Sequence, residues 1–245
     1  YNYSYYYNGS EDPNHEVVIL GWDDDYSRHL FKTEPESDGA FICMNSWGTE
    51  FGDYGVFYVS YCDTKIGKSA VAYSVIEGTD NYDHIYQNDE KGWIGRMGYD
   101  SETAFLANVY RAEGDENLRA VSFYATDKDT EYAVYVCRDY ESSGDLATRR
   151  ELCARGGFEN MGYYTVELDS PVSLDRGEKF AVIVEINTPG SKHPVAIEMN
   201  AEDGRSGSVV LEGHESYISA DGRFWNNTQE EAAGNVCLKA FTSDR

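Results

Sequence analysis

Residues 131–138 carry the sequence EYAVYVCR, in which apolar side chains stand at successive positions. Neighbouring side chains of a β-strand point to opposite faces, so this stretch has apolar groups on both faces. Such a strand is typical of the inside of a sandwich, where both sides of a sheet are covered. The stretch therefore predicts a core strand of an antiparallel β-sandwich.

Similar short runs, separated by turn residues, flank this strand on both sides. Helical periodicity is almost lacking, and the turns include Asp175-Arg176-Gly177 and Asp221-Gly222-Arg223. This spacing predicts an antiparallel sandwich of roughly 150 residues. Only residues 141–155 could hold a helical turn. The strands are predicted over residues 104–110, 118–124, 131–138, 162–168, 179–186, 195–199, 208–211 and 236–242.

The first 80 residues form a second β-rich region. Strands are predicted over residues 16–22, 40–45, 55–60 and 70–77, and the acidic segment 23–39 is predicted to be a surface loop. A chain of 245 residues is long for one domain. The turn-forming residues 78–81 therefore place the predicted boundary between domains 1–80 and 81–245.

The chain is strongly acidic, with 20 basic and 44 acidic residues and a net charge of −24. A protein that binds nucleic acid or an anionic membrane surface needs a basic patch, so this charge argues against binding to either. No apolar run approaches the roughly 18 residues of a membrane span. The acidity, together with abundant Tyr, Asn, Asp, Gly and Ser, is typical of a secreted or bacterial cell-surface protein.

Three segments of the first region point to one chemistry. They are residues 14–22, NHEVVILGW; residues 41–49, FICMNSWGT; and residues 51–59, FGDYGVFYV. A cysteine peptidase needs a thiolate, a base that takes its proton, and a group that orients the base. A His followed by an Asn whose side-chain carbonyl can hold the imidazole supplies the last two.

In order and content, these segments resemble the C-terminal half of papain-like cysteine peptidases. The resemblance implies that His15 is the general base and that Asn45 orients it. It also implies that Trp47 shields their hydrogen bond from water and that Asn14 lies at the cleft edge. The interval between His15 and Asn45 is longer than is usual in the family, and the additional residues fall in the loop 23–39.

The nucleophile of that family is not found at its expected place. There the Cys precedes the His by roughly 130–150 residues, whereas here the His is residue 15. Cys43 shares a predicted strand with Asn45, but a buried apolar role suits it better, and Cys62 is assigned no catalytic role. The thiol is therefore expected on an N-terminal half or light chain that precedes these residues, and the 245-residue chain alone is expected to be inactive.

Five cysteines, at positions 43, 62, 137, 153 and 237, leave at least one without a partner in the chain. Cys137 and Cys153 could pair across a loop, which the sequence leaves open. The spacing of Cys and His matches no zinc site, and no cofactor is expected. Acidic loops remain candidates for structural Ca²⁺, namely Asp127, Asp129 and Glu131, and Asp100 with Glu102. The solvated alternative is favoured for them, and His84, His193 and His214 are expected at the surface or in packing.

The second region resembles the lectin-like domain that follows the papain domain in some clostridial cell-surface peptidases. The segments that match include residues 82–89, YDHIYQND; 107–110, ANVY; and 118–124, LRAVSFY. Residues 162–168, 177–182 and 238–242 continue the match. This resemblance implies a module that holds the peptidase near a surface, with cell-wall glycan as a candidate partner. The side chains that could bind a sugar are Trp93, Trp225, Asn226 and Asn227.

Two functional hypotheses follow. The first is the heavy chain or C-terminal fragment of a secreted or cell-surface papain-like cysteine endopeptidase, acting on a protein or peptide substrate. The second is a glycan-binding or structural β-sandwich protein whose peptidase half is vestigial. A sandwich that only buttresses a neighbour and binds nothing is a further alternative, because a fold does not confer a ligand.

Overall fold

The computed structural model describes residues 2–68, 70–200, 208–213 and 215–245. The chain divides into two compact units, Tyr1–Ser74 and Val75–Arg245, and the predicted boundary at residue 80 falls within the second. The structure is mostly β with antiparallel sheets, which confirms the predicted fold class. No helix among the described residues is long and apolar enough to cross a bilayer.

The part of the first unit that the structure describes forms one four-stranded sheet. Its strands are β1 (Ser4–Tyr5), β2 (Val18–Asp23), β3 (Ala40–Met44) and β4 (Val56–Ser60), and a single 3₁₀ turn spans Arg28–Leu30. The order is β1-β4-β3-β2, with β1 parallel to β4 and the other pairs antiparallel. Its small core centres on Tyr26, Phe31 and Ala40, where the ring of Tyr26 stacks on Tyr58 at 4.3 Å.

The strand predicted over residues 70–77 is wrong. The structure shows no strand there, and large side chains such as Val71 and Tyr73 are 75% and 90% exposed. A strand is held by hydrogen bonds to a neighbouring strand, and the apolar residues of this segment have no such neighbour among the described residues. Composition alone therefore misled the prediction.

The described residues of the second unit form thirteen strands and two short helices. The elements are β5 (His84–Gln87), β6 (Gly95–Met97), β7 (Thr103–Arg111), β8 (Glu116–Ala125), β9 (Thr130–Cys137), α1 (Asp145–Thr148), β10 (Arg150–Phe158), β11 (Gly162–Leu174), β12 (Lys179–Asn187), β13 (Val195–Met199), β14 (Glu215–Ser219), β15 (Asn226–Asn227), α2 (Thr228–Ala232), β16 (Gly234–Val236) and β17 (Leu238–Asp244). One sheet has six strands, in the order β10-β9-β12-β7-β14-β15, and another has four, in the order β11-β8-β17-β5. A third sheet is ordered β16-β13-β6, and every pairing within the three sheets is antiparallel.

The core of this unit lies between the six-stranded and four-stranded sheets. Phe180, Val182 and Val184 of β12 point into it, as do Phe123 and Leu238 from the opposing sheet. The alternate residues of β12 and β9 point the other way, into a second cluster closed by the segment around α1. That cluster consists of Ala107, Val109, Cys137, Tyr140, Leu146, Ala181 and Ile183. The apolar side chains on both faces of the stretch 131–138 are thus explained.

Two local predictions in this unit need correction. The helical turn expected within residues 141–155 is present as Asp145–Thr148, but the expectation that no other stretch holds one is wrong, because helix α2 spans Thr228–Ala232. The remainder of 141–155 continues as strand β10 from Arg150. Pairing with β9 overrides the polar composition of β10. Residues 208–211 were predicted to form a strand, but they are irregular.

Candidate functional site

His15 and Asn45 lie at the adjoining ends of two paired strands. His15 precedes β2, Asn45 follows β3, and the antiparallel register places Val18 opposite Met44. The backbone N–H of Asn45 donates to the carbonyl of Gly55 at 3.0 Å, which ties it to the turn before β4. Neighbouring strands therefore bring together two residues that are 30 positions apart in the chain.

The imidazole Nε2 of His15 lies 3.0 Å from Oδ1 of Asn45. The same Oδ1 accepts the backbone N–H of Ser46 at 2.8 Å, so this atom must be the acceptor end of the amide. Nε2 must then carry the proton that it donates, which leaves Nδ1 of the neutral ring with its lone pair. In this tautomer Nδ1 is the atom that can accept a proton from another group.

Trp47 covers one side of this pair. Its ring centroid is 5.2 Å from that of His15, with a tilt of 31°. Phe51 contacts Trp47 edge-on at 5.1 Å and Phe57 at 5.5 Å, so Trp47 is anchored through Phe51 to strand β4. Asn45 is only 8% exposed beneath it, while Trp47 itself remains 63% exposed. Trp47 thus lies against the His15 ring, and most of its own surface remains exposed.

The turn after Trp47 requires glycine. Gly52 has φ of +61°, and a Cβ there would clash with the carbonyl oxygen of Val56. The same turn positions the carbonyl of Gly55, which accepts the backbone N–H of Asn45. Asn14, predicted at the cleft edge, is exposed next to His15 in the chain. The predicted residues His15, Asn45 and Trp47 are thus brought together by local structure.

The two thiols of the first unit are not placed to serve this pair. Cys43 is fully buried, and burial, with a smaller contribution from Asp63, raises the pKa of its thiol to about 11. The Cys62 Sγ lies 3.3 Å from Oγ of Ser37, and this hydrogen bond lowers its pKa. Among the described residues, neither Sγ is hydrogen-bonded to His15. All five cysteines are free thiols, so Cys137 and Cys153 do not pair.

The proposed sugar-binding residues of the second unit separate into two environments. Trp93 contacts Tyr124 at 5.4 Å, and the guanidinium of Arg96 lies 5.0 Å over its ring. Trp225 instead packs edge-on against Phe105 at 6.3 Å and against the second core cluster. Its Nε1 is buried and has no hydrogen-bond partner within the described part of the chain. Trp93 therefore pairs with a tyrosine ring and an arginine, whereas Trp225 is packed against a core cluster.

The two asparagines next to Trp225 are engaged within the protein. Asn226 donates from Nδ2 to the hydroxyl of Tyr99 at 3.1 Å. Asn227 caps helix α2, where its Oδ1 accepts the N–H of Gln229 at 2.8 Å. Capping satisfies an N–H that would otherwise lack a partner, so Asn227 contributes to the structure of this turn.

A family model for the lectin-like domain matches residues 85–242. The chain belongs to the lectin-like domain family. A comparison with curated proteins gave no match. The resemblance that the sequence suggested for the second region is confirmed at this level, and the matched residues begin and end within strands β5 and β17.

Two solved structures are similar to nearly the whole chain. One is the clostridial cysteine protease Cwp84, as a variant after propeptide cleavage, with a TM-score of 0.79, 27% identity and coverage of 99% of this chain and 61% of that chain. The other comprises the cysteine protease and lectin-like domains of Cwp84, a surface layer associated protein of Clostridium difficile. It has a TM-score of 0.76, 26% identity and coverage of 99% and 55%. The chain thus spans less than two thirds of either solved chain.

Two of the acidic side chains considered for Ca²⁺ accept hydrogen bonds from backbone N–H groups. Oδ1 of Asp127 accepts the N–H of Lys128, and Oε1 of Glu102 accepts the N–H of Gly190. No group of three His, Cys, Asp or Glu within the described ranges could hold a metal ion. His84 is hydrogen-bonded to Asp244 at 2.9 Å, whereas His214 lies outside the described residues.

Tyr124 and Tyr163 of the lectin-like domain were not singled out in the sequence. They lie directly opposite each other in the pairing of β8 with β11, with ring centroids 4.9 Å apart. Each belongs to a run that the sequence identified only as a strand. The register that pairs them depends on contacts between segments about 40 residues apart, which a single sequence does not display.

Proposed function

We propose that the first unit supplies the general base and its orienting group to a papain-like cysteine peptidase, and that the lectin-like domain accompanies it. The observation that carries this proposal is the hydrogen bond of 3.0 Å between His15 and Asn45 beneath Trp47. The nucleophilic thiol would come from a polypeptide segment outside these 245 residues. The substrate class is a protein or peptide.

The geometry supports one course of proton transfer. Nδ1 of His15 would take the proton of the incoming thiol, and the thiolate would attack the peptide carbonyl to form an acyl-enzyme. Asn45 would hold the imidazolium through Nε2–H throughout. That acyl-enzyme forms as the peptide C–N bond breaks and the proton at Nδ1 passes to the leaving amine. Water would then release the acyl group, with His15 taking the proton of the water as base and returning it to the thiolate.

Exposed apolar side chains near the pair support a covering partner. Val18 and Met44 lie opposite each other in the strand register close to His15 and Asn45, and they are 60% and 41% exposed. Leu20 and Trp22, further along β2, are 53% and 69% exposed. Apolar groups gathered in this way on a surface mark a site of interaction more often than a free surface. A thiol-bearing half that packed here would bury them and bring its Cys towards His15.

The comparisons support the same assignment in coarser form. The family model accounts for residues 85–242, while the similarity to Cwp84 extends over 99% of the chain and so includes most of the first unit. Cwp84 is a cysteine protease and a surface layer associated protein. We infer that this chain also acts in a protease at a bacterial cell surface, which agrees with its acidic, Tyr-rich composition.

The test is covalent labelling by an epoxysuccinyl thiol probe. The parent polypeptide, including the segment expected upstream, should be labelled on one Cys, and His15→Ala should abolish the labelling. His29→Ala is the matched control, because His29 is exposed and paired with Glu34, and it should label normally. Equal labelling of the wild type and the His15→Ala variant would refute the role of His15.

The isolated 245-residue chain should not hydrolyse a fluorogenic peptide, because its own thiols are not placed beside His15. Mass spectrometry of the purified material would show whether a second chain accompanies it. Turnover by the pure single chain, blocked by alkylation, would contradict the proposal and direct attention to Cys62.

A further inference from the structure

The turn that precedes strand β4 in the first unit has an unusual residue at its tip. Asp53 and Val56 exchange both of their backbone hydrogen bonds, with N···O distances of 2.8 and 3.0 Å. The two residues between them, Tyr54 and Gly55, have φ angles of +52° and +93°. A two-residue hairpin loop with positive φ at both positions is a type I′ turn, for which Asn-Gly, Asp-Gly and Gly-Gly are the favoured pairs. Tyrosine at the first position is therefore unfavourable.

The ring of Tyr54 does not compensate for this conformation by packing. The left-handed region brings the Cβ of a bulky residue too close to the following carbonyl oxygen. Tyr54 is 80% exposed, and its side chain makes no ring contact and no hydrogen bond within the described residues. Backbone strain at a side chain that the fold does not use points to a function for that side chain.

Tyr3 offers a comparison, because it also has positive φ, at +46°. Its carbonyl accepts the backbone N–H of Tyr58 at 2.8 Å, so pairing beside strand β4 accounts for its conformation. Strand β1, which begins at the next residue, lies at the edge of the sheet opposite β2. Tyr3 thus has a structural reason for its strain, whereas Tyr54 has none.

The turn of Tyr54 lies close to the candidate site. The carbonyl of Gly55 accepts the backbone N–H of Asn45 at 3.0 Å. Since neighbouring Cα atoms are about 3.8 Å apart, the Cα of Tyr54 lies within roughly 10 Å of the Asn45 backbone. An extended peptide advances about 3.3 Å per residue, so a substrate bound at His15 covers this distance with about three residues. The ring of Tyr54 can therefore meet a substrate side chain about two to four positions from the cleaved bond.

The surroundings of this ring are acidic. Asp53 adjoins Tyr54 in the chain and Glu50 lies in the preceding loop; both are exposed, and neither carboxylate has an ion-pair partner in the described part of the chain. The face of an aromatic ring attracts a cation, and nearby carboxylates add to this attraction. A basic side chain therefore suits this surface better than an apolar or an acidic one.

We propose that Tyr54 is a specificity-determining residue that binds a Lys or Arg side chain of the peptide substrate, about two to four positions from the cleaved bond. The face of the ring holds the cation, and the carboxylate of Asp53 balances its charge. This role rests on the proposed peptidase function, since the thiol-bearing half is needed to complete the cleft. It accounts for the presence of Tyr-Gly in a turn that suits Asn-Gly.

The test measures kcat/KM of the parent polypeptide, with its thiol-bearing segment, on variants of one fluorogenic peptide that it cleaves. Arg, Leu or Glu replaces one residue at a time on either side of the cleaved bond. We expect Arg to be preferred at one position about two to four residues from that bond. Tyr54→Ala should lower kcat/KM for this Arg peptide about 2- to 5-fold, mainly through KM, as expected for one exposed cation–π contact. It should leave the Leu peptide unchanged, and Tyr54→Phe should keep the preference.

Tyr54→Asn separates the strain from the binding. In the 245-residue chain it should raise the melting temperature of the first unit by roughly 4–8 °C, because Asn enters the left-handed region more readily. In the parent polypeptide it should abolish the preference for Arg. Tyr3→Asn is the matched control, and it should leave the preference for Arg unchanged.

The outcomes distinguish this role from the peptidase function itself. Equal kcat/KM for the Arg and Leu peptides at every position, in a parent polypeptide whose Cys is still labelled in a His15-dependent way, would overturn the role of Tyr54 alone. A preference for Arg that survives Tyr54→Ala, or a melting temperature that does not rise in Tyr54→Asn, would overturn it as well. Absence of labelling would instead remove the peptidase function, and the role of Tyr54 with it.

Discussion

The two units of this chain differ in how much of their apolar side-chain surface they bury. The second unit buries a large core between two sheets and a second cluster behind one of them. The first unit buries a small cluster around Tyr26, and it leaves Val18, Leu20 and Trp22 of strand β2, the strand that follows His15, exposed to solvent. This difference indicates that the second unit has a core large enough to fold as an independent domain. The candidate site of the first unit, in contrast, lies outside the small core of that unit.

The largest effect that would sharpen this comparison concerns Asn45. Asn45→Ala should lower kcat/KM of the thiol-bearing parent polypeptide by roughly 10²-fold or more, because the imidazole would lose the acceptor that fixes its orientation. Hydrolysis of a fluorogenic peptide measures this. Asn160→Ala, an exposed change in the second unit, should leave kcat/KM unchanged. Full activity of the Asn45→Ala variant would mean that the 3.0 Å hydrogen bond does not serve catalysis.

Stability should respond to the core of the second unit and barely to the exposed residues of the first. Phe123 is fully buried and contacts Tyr132 and Phe158. Phe123→Ala should therefore lower the free energy of unfolding of that unit by about 3–5 kcal/mol. Trp22→Ala should change stability by no more than about 0.5 kcal/mol. Differential scanning calorimetry would separate the two, and a large effect of Trp22→Ala would show that the first unit does enclose a core of its own.

A buried carboxylate distinguishes the second unit further. Glu116 is fully buried and accepts hydrogen bonds from the hydroxyls of Tyr86 and Thr242 and from the N–H of Gly114. Glu116→Gln replaces an acceptor oxygen by a donor group, so it should cost about 1.5–3 kcal/mol of stability in urea unfolding. The matched change Glu159→Gln, at an exposed position, should stay within about 0.5 kcal/mol. Equal effects of the two changes would deny Glu116 a structural role.

The parts of the molecule that could be predicted from the sequence are those written in contiguous residues. The strand at residues 131–138 and its neighbours follow from alternation, and the His15, Asn45 and Trp47 set follows from three short segments. Strand β10 was missed because its polar residues are held by pairing with β9 rather than by composition. The apolar residues of segment 70–77 wrongly predicted a strand, because no neighbouring strand pairs with this segment among the described residues. The contact between Tyr124 and Tyr163 depends on the register of strands β8 and β11, which only the folded sheet displays.

The smallest expected effect concerns a surface pair of the second unit. His84 is hydrogen-bonded to Asp244 at 2.9 Å, and this bond raises the pKa of His84. A raised folded-state pKa means that the pair stabilises the protein below the unfolded pKa of His, near 6.5, and that the contribution is lost as pH rises through the folded pKa. Because Asp244 is 70% exposed, the contribution should stay below about 1 kcal/mol.

His84→Gln should therefore lower the stability of the second unit slightly at pH 5.5, where Asp244 is ionised and His84 is protonated, and leave it unchanged at pH 9. Urea unfolding at the two pH values measures the difference, with His193→Gln as the control for loss of an imidazole elsewhere in the unit. A larger loss at pH 9 than at pH 5.5 would mean that the neutral ring, rather than the imidazolium, makes the stabilising contact. In that case the His84–Asp244 ion pair would not contribute to the stability of the second unit. The difference in stability between the two units would then come from buried groups alone.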